Sequence, residues 1–484
     1  MQAILDHIIR SLPYFQTEWA LFVAICVYTL LIVSRSGWME KKEQPFLILL
    51  TSLLLIGLYI WLDYLKSPEK VVFFQGLFVW EPSVLVFKKA LVLGALAILV
   101  HLYVMRYALV GEFFVLYLGA LTGLFLLTMA NHWLSLYVTL EFVSITSYLL
   151  VALFRQKQQV EAAIKYVLVG TLSSAIMLFG ISFLYGLTGQ LTFDALAQGL
   201  AAVPNPDWVG QVAFFMALAG LFFKLSAVPF HTYTPDVYEA APTPVVSFLA
   251  ILPKLSSILV LHRIVSIVNG PIPILLGAIV LLSWLIGNFS ALAQQNTKRL
   301  LGYSAIAQSG FILVALTARQ SEAAFQALQF YVFTYGIISI AAFVLIDIMA
   351  RYQNSYQLEA IQGLGAHQKL LGFLAVMIAV ALVGLPPTVG FTGKLVVFSA
   401  LWNEYVVTQD KSFLVLVLVG LLNAVVSLFY YLKIPYFLLV SEKENADKSL
   451  PSSLQLAQAF CLVLTLLVMG LFFAPQWVSQ WLGY

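Results

Sequence analysis

Charged residues are scarce in this sequence. They make up 10% of the 484 residues, whereas 62% are hydrophobic, and an ordinary soluble domain has about 25% charged residues. A soluble core of this length could not bury so much apolar surface, so lipid must be the solvent for much of the chain. The formal net charge of +3 is too small to indicate nucleic-acid binding, which needs clustered lysines and arginines.

Cysteine is rarer still. Cys26 and Cys461 each lie inside an apolar run without a CxxC neighbour, a pattern that supports neither a disulfide framework nor a metal site. His231 has no second histidine or cysteine at ligand spacing, as a zinc site would need. No glycine-rich phosphate loop follows a strand pattern. The sequence therefore predicts no metal site and no cofactor-binding site in this chain.

Long apolar runs dominate the chain. Each is long enough to cross a membrane, which takes roughly 20 residues of helix. The connections between them are short and polar, with no room for a soluble domain, a nucleotide site or an iron–sulfur loop. The sequence predicts an all-α integral membrane protein with about fourteen spans, at about 17–35, 45–65, 84–105, 112–130, 133–154, 162–187, 209–230, 243–267, 273–293, 300–318, 323–350, 369–404, 412–437 and 455–482.

The lysines and arginines in the loops and at the ends of the spans predict the orientation. Thirteen lie in loops after odd-numbered spans, Lys298 among them, and eight lie at the N-terminus or at even-numbered loops and their edges, including Lys88, Lys89 and Arg263. Cytoplasmic loops carry the excess of positive charge. We therefore expect a multi-pass protein of the bacterial inner membrane with both termini in the periplasm.

Four lysines and one glutamate lie inside apolar runs. They are Lys165, Lys224, Lys254, Lys394 and Glu141. A lysine at the bilayer centre costs about 3 kcal/mol even on a lenient scale, so each should face the protein interior. Burial lowers the proton affinity of a lysine and a nearby carboxylate raises it again. Such a set can therefore relay protons, although fixed ion pairs that hold two helices together are the alternative reading.

Two of these lysines occur in matching contexts. Lys224 lies in GLFFKL and Lys394 in GFTGKL, and helix breakers accompany both: Pro229 follows the first, while Pro386, Pro387 and Gly390 precede the second. The two lysines are 170 residues apart, since 394 minus 224 is 170, and five predicted spans separate them. Because five is odd, the second copy would be inverted in the membrane, as in transporters that place ion sites at broken helices near the midplane.

This repeat predicts the domain organisation. Residues 1–110 would form an N-terminal three-helix segment, and 111–270 a first five-helix repeat, about spans four to eight. Residues 271–440 would form the inverted second repeat, about spans nine to thirteen. Residues 441–484 would form a C-terminal helix.

His231 follows Pro229 in the sequence KLSAVPFHTY. Because an unperturbed histidine changes charge near neutral pH, it could pass protons between Lys224 and Lys254. A structural histidine, hydrogen-bonded at a helix end, is an equally good reading of the sequence.

Four segments carry a family resemblance. KLSAVPFHTYTPDVYEAAPTPV (224–245), AAIKYVLVG (162–170), QNTKRLLGYSAIAQSG (295–310) and GLPPTVGFTGK (384–394) are similar to the antiporter-like membrane subunits of complex I type NADH–quinone oxidoreductases. The motif TPDVY is similar to that of the subunit type that lies nearest the quinone-binding arm.

The resemblance implies a proton-translocating subunit of an enzyme complex, with no redox centre of its own. Quinone reduction would take place in partner subunits, and the parent complex would hold FMN, iron–sulfur clusters and quinone. The implied neighbours are another antiporter-like subunit, small membrane subunits and lipid, but no nucleic acid. The implied proton relay comprises Glu141, Lys165, Lys224, His231, Lys254 and Lys394.

Two positions depart from the family pattern. Ala240 stands where glycine is usual, and Gln308 stands where the tenth span often has histidine, which puts a histidine link between two half-channels in doubt. Two other functions stay open. One is a subunit of a multi-subunit cation/proton antiporter, and the other is a membrane scaffold without transport.

Overall fold

The structure is a computed structural model, and it describes residues 9, 11–34, 44–65, 70–202, 208–267, 272–318, 322–440 and 451–484. Helices account for most of the described chain because lipid offers no partner for backbone groups, which a helix satisfies within one segment. The helices are α1 Gln16–Ser34, α2 Gln44–Tyr64, α3 Pro82–Val104, α4 Glu112–Met129, α5 Trp133–Ala152, α6 Lys157–Thr188, α7 Phe193–Ala202, α8 Trp208–Ala217, α9 Ala219–Lys224, α10 Thr234–Ala240, α11 Thr243–Ile267, α12 Ile272–Leu292, α13 Thr297–Val314, α14 Glu322–Gln353, α15 Leu364–His367, α16 Lys369–Val383, α17 Val389–Thr408, α18 Lys411–Tyr431, α19 Lys433–Val440, α20 Ser452–Phe473 and α21 Gln476–Leu482. Short 3₁₀ segments occur at Leu12–Phe15, Ala315–Thr317 and Leu358–Ile361.

Twelve helical segments in the described ranges are long and apolar enough to cross a membrane. They correspond to all of the predicted spans except 209–230 and 369–404. Those two runs are divided into shorter helices, α8 and α9 in the first and α16 and α17 in the second. The protein is therefore a helical membrane protein, and the total of about fourteen spans stays a prediction for the two interrupted runs.

A small hairpin interrupts the helical pattern. Strand β1 (Val71–Phe73) pairs antiparallel with β2 (Phe78–Trp80), and Val72 lies opposite Val79. Aromatic and β-branched residues favour strands, and Gly76 at φ +91° supplies a conformation that the turn needs. The sequence analysis did not anticipate this hairpin because its strands are too short to show a period.

The chain divides into two compact units. Unit 1 comprises residues 1–99, 107–225 and 252–271, and unit 2 comprises 100–106, 226–251 and 272–484. The predicted repeat boundaries, which rest on a symmetry between two sequence motifs, stay a prediction.

Unit 1 is built around α4. This helix packs against α1 and α5, and α6 packs against α5, α8 and α9. The two helices differ in how far they are buried. In an apolar stretch of 18 residues, 78% of α4 is buried inside the chain, but only 28% of α6. Side chains on α4 therefore form a core, whereas much of α6 lies at the outer surface of this chain.

Unit 2 is built around α13 and α14. In their apolar 18-residue stretches, 94% of α13 and 89% of α14 are buried inside the chain. Helix α13 packs against α10 and α12, and α14 packs against α16, α17 and α20. An apolar helix enclosed on all sides belongs in the middle of a bundle. The polar side chains of α13 and α14 are consequently held away from lipid.

Three cations that the sequence analysis assigned to loops are buried instead. Lys88 is 0% exposed, and its Nζ donates to Glu18 at 2.5 Å and lies 4.4 Å from the centroid of the Trp80 ring. Arg263 and Lys298 are 7% and 3% exposed. Helix ends buried in protein keep such cations because carboxylates and carbonyls satisfy them. The loop assignment of all three residues is therefore corrected.

Candidate functional site

Lys224 lies at the end of α9, where regular helix stops until Thr234. The side chain is 3% exposed, and its Nζ has no hydrogen-bond partner among the described residues. Aromatic rings surround it instead: the centroids of Phe223, Tyr166 and Tyr148 lie 5.4, 5.7 and 5.9 Å from Nζ. Ring faces attract a cation weakly compared with a carboxylate, so the lysine is buried without a fixed counter-ion.

A glycine makes room for this ring cluster. Tyr148 on α5 and Tyr166 on α6 meet edge to face with their centroids 4.6 Å apart. A Cβ at Gly170 of α6 would overlap the hydroxyl of Tyr148. Only glycine therefore lets α6 approach α5 closely enough for both rings to reach Lys224.

Glu141 lies on α5 in the same unit as Lys224 and is half-buried. Ser174 Oγ on α6 donates a hydrogen bond to Glu141 Oε1. The structure shows no direct ion pair between Glu141 and Lys224. The two predicted partners are thus brought into one unit without direct contact.

Lys254 follows Pro253 inside α11 and is 1% exposed. A proline inside a helix removes one backbone hydrogen bond and clashes with the preceding turn. The structure therefore places this lysine in the protein interior, as the sequence analysis expected, next to a residue that has no backbone N–H to donate.

Lys165 does not lie in the interior of this chain. Its side chain is 47% exposed on α6 and pairs with Glu161 one turn earlier at 3.2 Å. The expectation that it faces the interior is corrected, because the sequence cannot show that α6 has so little cover within its own chain. Its part in a proton relay stays a prediction.

His231 lies in unit 2, in the non-helical stretch between Ser226 and Tyr233, and is half-buried. Its backbone carbonyl accepts a hydrogen bond from Thr234 N, at the start of α10. Pro229 lies in the same stretch. The histidine therefore sits at a helix break, as predicted for both of the roles considered for it.

Lys394 of α17 binds carbonyl groups that the helix break exposes. Its Nζ donates to Val383 O at 2.7 Å and to Leu382 O at 3.3 Å. In a continuous helix these carbonyls would accept from residues 386 and 387, four positions on. Both are prolines, which have no N–H to donate. The proline pair thus leaves two acceptors for the lysine, which is 6% exposed.

The neighbouring glycines have separate tasks at this break. Gly384 ends α16 in the left-handed conformation, with φ +86°. Gly390 belongs to α17 itself, where a Cβ would overlap the carbonyl oxygen of Ala381. Gly390, named above only as a helix breaker, permits close approach of the two helices, and Gly384 supplies the left-handed dihedral.

A cavity of about 390 Å³ lies beside Lys394. Its wall includes the polar side chains of Ser399 and Asn403, and it reaches the surface of this chain at Leu395 and Trp402, which are 50% and 48% exposed. The volume is many times that of one water molecule. Water in this cavity could exchange a proton with Lys394. The lining residues are Gly384, Phe391, Lys394, Leu395, Phe398, Ser399, Trp402, Asn403, Val417, Leu421 and Ala424.

Gln308 of α13 connects Lys394 to a buried hydrogen-bond network. Its Nε2 donates to Leu382 O at 3.2 Å, the carbonyl that Lys394 also binds, and to Tyr431 OH at 3.1 Å. Its Oε1 accepts from Tyr331 OH, and Tyr431 OH also bonds Ser304. Sequence reasoning missed the two tyrosines and the serine, since such residues are common in apolar helices and carry no signal.

Among the described residues, no cluster of three or more histidines, cysteines, aspartates or glutamates could hold a metal ion. Each unit holds buried or half-buried titratable side chains of the predicted relay. The groups lie in two units, with Glu141, Lys224 and Lys254 in unit 1 and His231 and Lys394 in unit 2.

Comparison with known proteins gives a consistent result. Residues 130–427 match the family described as NADH:quinone oxidoreductase/Mrp antiporter, transmembrane. The matched region contains every predicted relay residue and both helix breaks.

One curated relative and two solved structures illustrate the similarity. The NADH-quinone oxidoreductase subunit N of Chlorobium chlorochromatii is 31% identical over 98% of this chain and 95% of the relative. A chain of respiratory complex I from Thermus thermophilus is 30% identical, with TM-score 0.78 over 95% of this chain and 98% of that one. A chain of the Mrp complex from Dietzia sp. shares the fold, with TM-score 0.80 and 18% identity over 96% of each chain.

Proposed function

This chain belongs to the NADH:quinone oxidoreductase/Mrp antiporter family of transmembrane proteins, and from that premise we propose that it is subunit N of a proton-pumping NADH–quinone oxidoreductase. It translocates protons and carries out no redox step. The proposal is carried by one observation: Lys224 is buried among aromatic rings without a hydrogen-bond partner in the described structure, and the half-buried carboxylate Glu141 lies on α5, which packs against α9.

Proton movement through such a site follows from electrostatics. A buried ammonium group is costly unless an opposite charge compensates it. When the carboxylate of Glu141 approaches, Lys224 holds its proton more firmly, and when it withdraws, the proton leaves. Glu141 is held by Ser174 in this structure, which supports the withdrawn arrangement as one of two states.

The proton then passes by way of Lys254 and reaches Lys394, with His231 as a further relay group. Lys394 binds two neutral carbonyls and no carboxylate, so losing the proton leaves no buried negative charge behind. The adjoining cavity of about 390 Å³ supports release of the proton to water. Lys165, exposed on α6, would exchange protons at the boundary with a neighbouring subunit.

The proposal also covers partners and cofactors. Electron transfer takes place in other subunits of the complex, which hold FMN, iron–sulfur clusters and quinone. Helices α1 and α6 each have only 28% of their apolar stretch buried inside this chain. Their exposed apolar faces support contact with lipid and with other membrane subunits.

We place this chain in the bacterial inner membrane with both termini in the periplasm. The burial of Lys298 reduces the thirteen cations of the odd loops to twelve, and the burial of Lys88 and Arg263 reduces the eight on the other side to six. Leaving these three buried cations out of the count gives an excess of twelve to six, which supports this orientation.

Cysteine labelling tests the orientation. Asp447→Cys and Gln480→Cys would be introduced singly, with the exposed Cys26 changed to serine, and treated in intact cells with a membrane-impermeant maleimide. We expect labelling at position 480 alone. Labelling at 447 from outside would overturn the proposed orientation.

Purification in mild detergent tests the function. We expect the chain to bring down a complex that oxidises NADH with quinone and acidifies the lumen of reconstituted vesicles. A complex that lacks NADH oxidation and exchanges sodium for protons would replace this proposal with the antiporter alternative.

A further inference from the structure

Unit 2 contains a buried acid–base cluster outside the predicted relay. His101 on α3 and Asp347 on α14 are both 0% exposed, and His101 Nε2 and Asp347 Oδ2 lie 3.0 Å apart. The sequence analysis gave neither residue a role in proton transfer. Polar groups at such depth are retained at a cost unless they are used or fully paired.

Tyr356 links this pair to the surface of the chain. Its hydroxyl donates to Asp347 Oδ1 at 3.1 Å and lies 2.9 Å from Thr243 Oγ1. The residue follows the end of α14 and is half-buried, and Thr297 binds its backbone carbonyl through both N and Oγ1. Tyr356 is therefore a fixed hydroxyl between a fully buried carboxylate and the end of the helix bundle.

Lys298 completes the charge balance of the cluster. It is 3% exposed, donates to Ala241 O at 2.5 Å, and places its Nζ 4.7 Å from the centroid of the Tyr356 ring. The Tyr356 ring that it overlies carries the hydroxyl that binds Asp347, so this cation belongs to the same cluster. With Asp347 ionised and Lys298 charged, the cluster is neutral when His101 is neutral. One further proton makes His101 cationic beside Asp347, which already carries the opposite charge.

We propose that His101, Asp347 and Tyr356 form a second proton-holding site, loaded from the aqueous face at the start of α13. The proton arrives through Tyr356 and resides on the His101–Asp347 pair, while Lys298 compensates the aspartate when the proton is absent. Half-exposed Arg299, which binds Asp236 at 2.6 Å and Glu239 at 3.0 Å, marks the charged rim beside this entrance. This inference rests on the proposed proton-translocating function.

A second buried ion pair provides the contrast. Lys88 and Glu18 in unit 1 lie 2.5 Å apart, and the lysine also contacts Trp80 and Met129 Sδ. Its cation is a lysine in direct contact with a carboxylate, whereas the other pair joins a histidine to an aspartate that also accepts a hydrogen bond from Tyr356. The first pair joins α1 to α3 directly, whereas the second is connected through a hydroxyl to a half-buried residue beyond the end of α14.

Isosteric variants of the assembled complex test the proposal. His101→Gln keeps a hydrogen-bond donor toward Asp347 but cannot be protonated, and Asp347→Asn keeps the shape of the side chain without its charge. The matched control is Glu18→Gln combined with Lys88→Met. Proton uptake by reconstituted vesicles, NADH oxidation and assembly on native gels would be measured for each, with Glu141→Gln as the reference for the main relay.

We expect His101→Gln and Asp347→Asn each to lose proton translocation per electron while NADH oxidation continues and the control pair pumps normally. Should Asp347→Asn fail to assemble, His101→Gln decides the question. Normal pumping by His101→Gln beside a defective Glu141→Gln would overturn the second site and leave the proposed function standing. Normal pumping by both would overturn the proposed function as well.

Discussion

The two lysines that share the G-x-x-x-K-L pattern are held in different ways. Lys224 in unit 1 faces three aromatic rings and has no hydrogen bond among the described residues. Lys394 in unit 2 also lies over a ring, Phe311 at 4.4 Å, but it binds two backbone carbonyls. A sequence pattern that repeats therefore does not fix the chemistry around its lysine.

The difference suggests a division of labour. In the proposed relay, the ammonium group of Lys224 takes its compensating charge from Glu141, so that movement of this carboxylate changes how firmly the proton is held. The carbonyls around Lys394 are fixed by the backbone and neutral, and the residue borders a cavity. We infer that Lys224 responds to a signal and that Lys394 exchanges its proton with water.

The largest expected effect is at Lys224. Lys224→Ala and Glu141→Ala should each reduce proton translocation by about tenfold or more, a modest figure for the loss of a general acid–base group, while the complex still assembles. Dye-monitored acidification of reconstituted vesicles measures this effect, with NADH oxidation recorded in parallel. Undiminished pumping in both variants would contradict the role of the pair.

The next effect sharpens the account of the ring cluster. Gly170→Ala would force Tyr148 away from Lys224, since the added methyl overlaps the tyrosine hydroxyl, and overpacking of this kind costs about 1–3 kcal/mol. We expect a lower unfolding temperature and weaker pumping. Gly186→Ala on the same helix is the control, because a Cβ there meets nothing within 4 Å. Equal behaviour of the two variants would show that the rings are not closely fitted around the lysine.

The smallest effect concerns the network around Lys394. Gln308→Leu removes the acceptor of Tyr331 OH and a donor to Tyr431, and an unsatisfied buried hydroxyl costs about 1–3 kcal/mol. Because Lys394 keeps its own bonds to the two carbonyls, we expect reduced thermal stability and only partly reduced pumping. Tyr331→Phe, which removes one hydroxyl and leaves the amide, should be milder still. Complete loss of pumping in Gln308→Leu would assign the glutamine a direct part in proton transfer.

Much of this arrangement could be predicted from the sequence. The interior positions of Lys224, Lys254 and Lys394 follow from the cost of charge in lipid, and the interruption before Lys394 follows from Pro386 and Pro387. The sequence misled where burial depends on neighbours. Lys88 and Lys298 are close to helix ends, which resemble loops in sequence, yet tertiary packing encloses them.

Other features had no sequence signal. Helix α6 is apolar all round, so no hydrophobic stripe showed which side of it faces outward, and Lys165 was therefore assigned to the interior. The Tyr148–Tyr166 cluster and the contacts of Gln308 join residues from separate helices. Patterns in a single sequence identify residues whose charge is costly to place in lipid. They cannot identify the groups that the fold brings into contact with those residues.

Replacement of Lys394 by arginine tests the central claim most directly. Arginine is effectively always charged, whereas a buried lysine can lose its proton, so Lys394→Arg keeps the positive charge and removes the titration. Both variants, Lys394→Arg and Lys394→Ala, would be expressed at equal levels, and proton translocation per electron would be measured in reconstituted vesicles. We predict that the arginine variant assembles and is impaired about as strongly as the alanine variant. Near-normal pumping by the arginine variant would contradict the relay and identify Lys394 as a static charge.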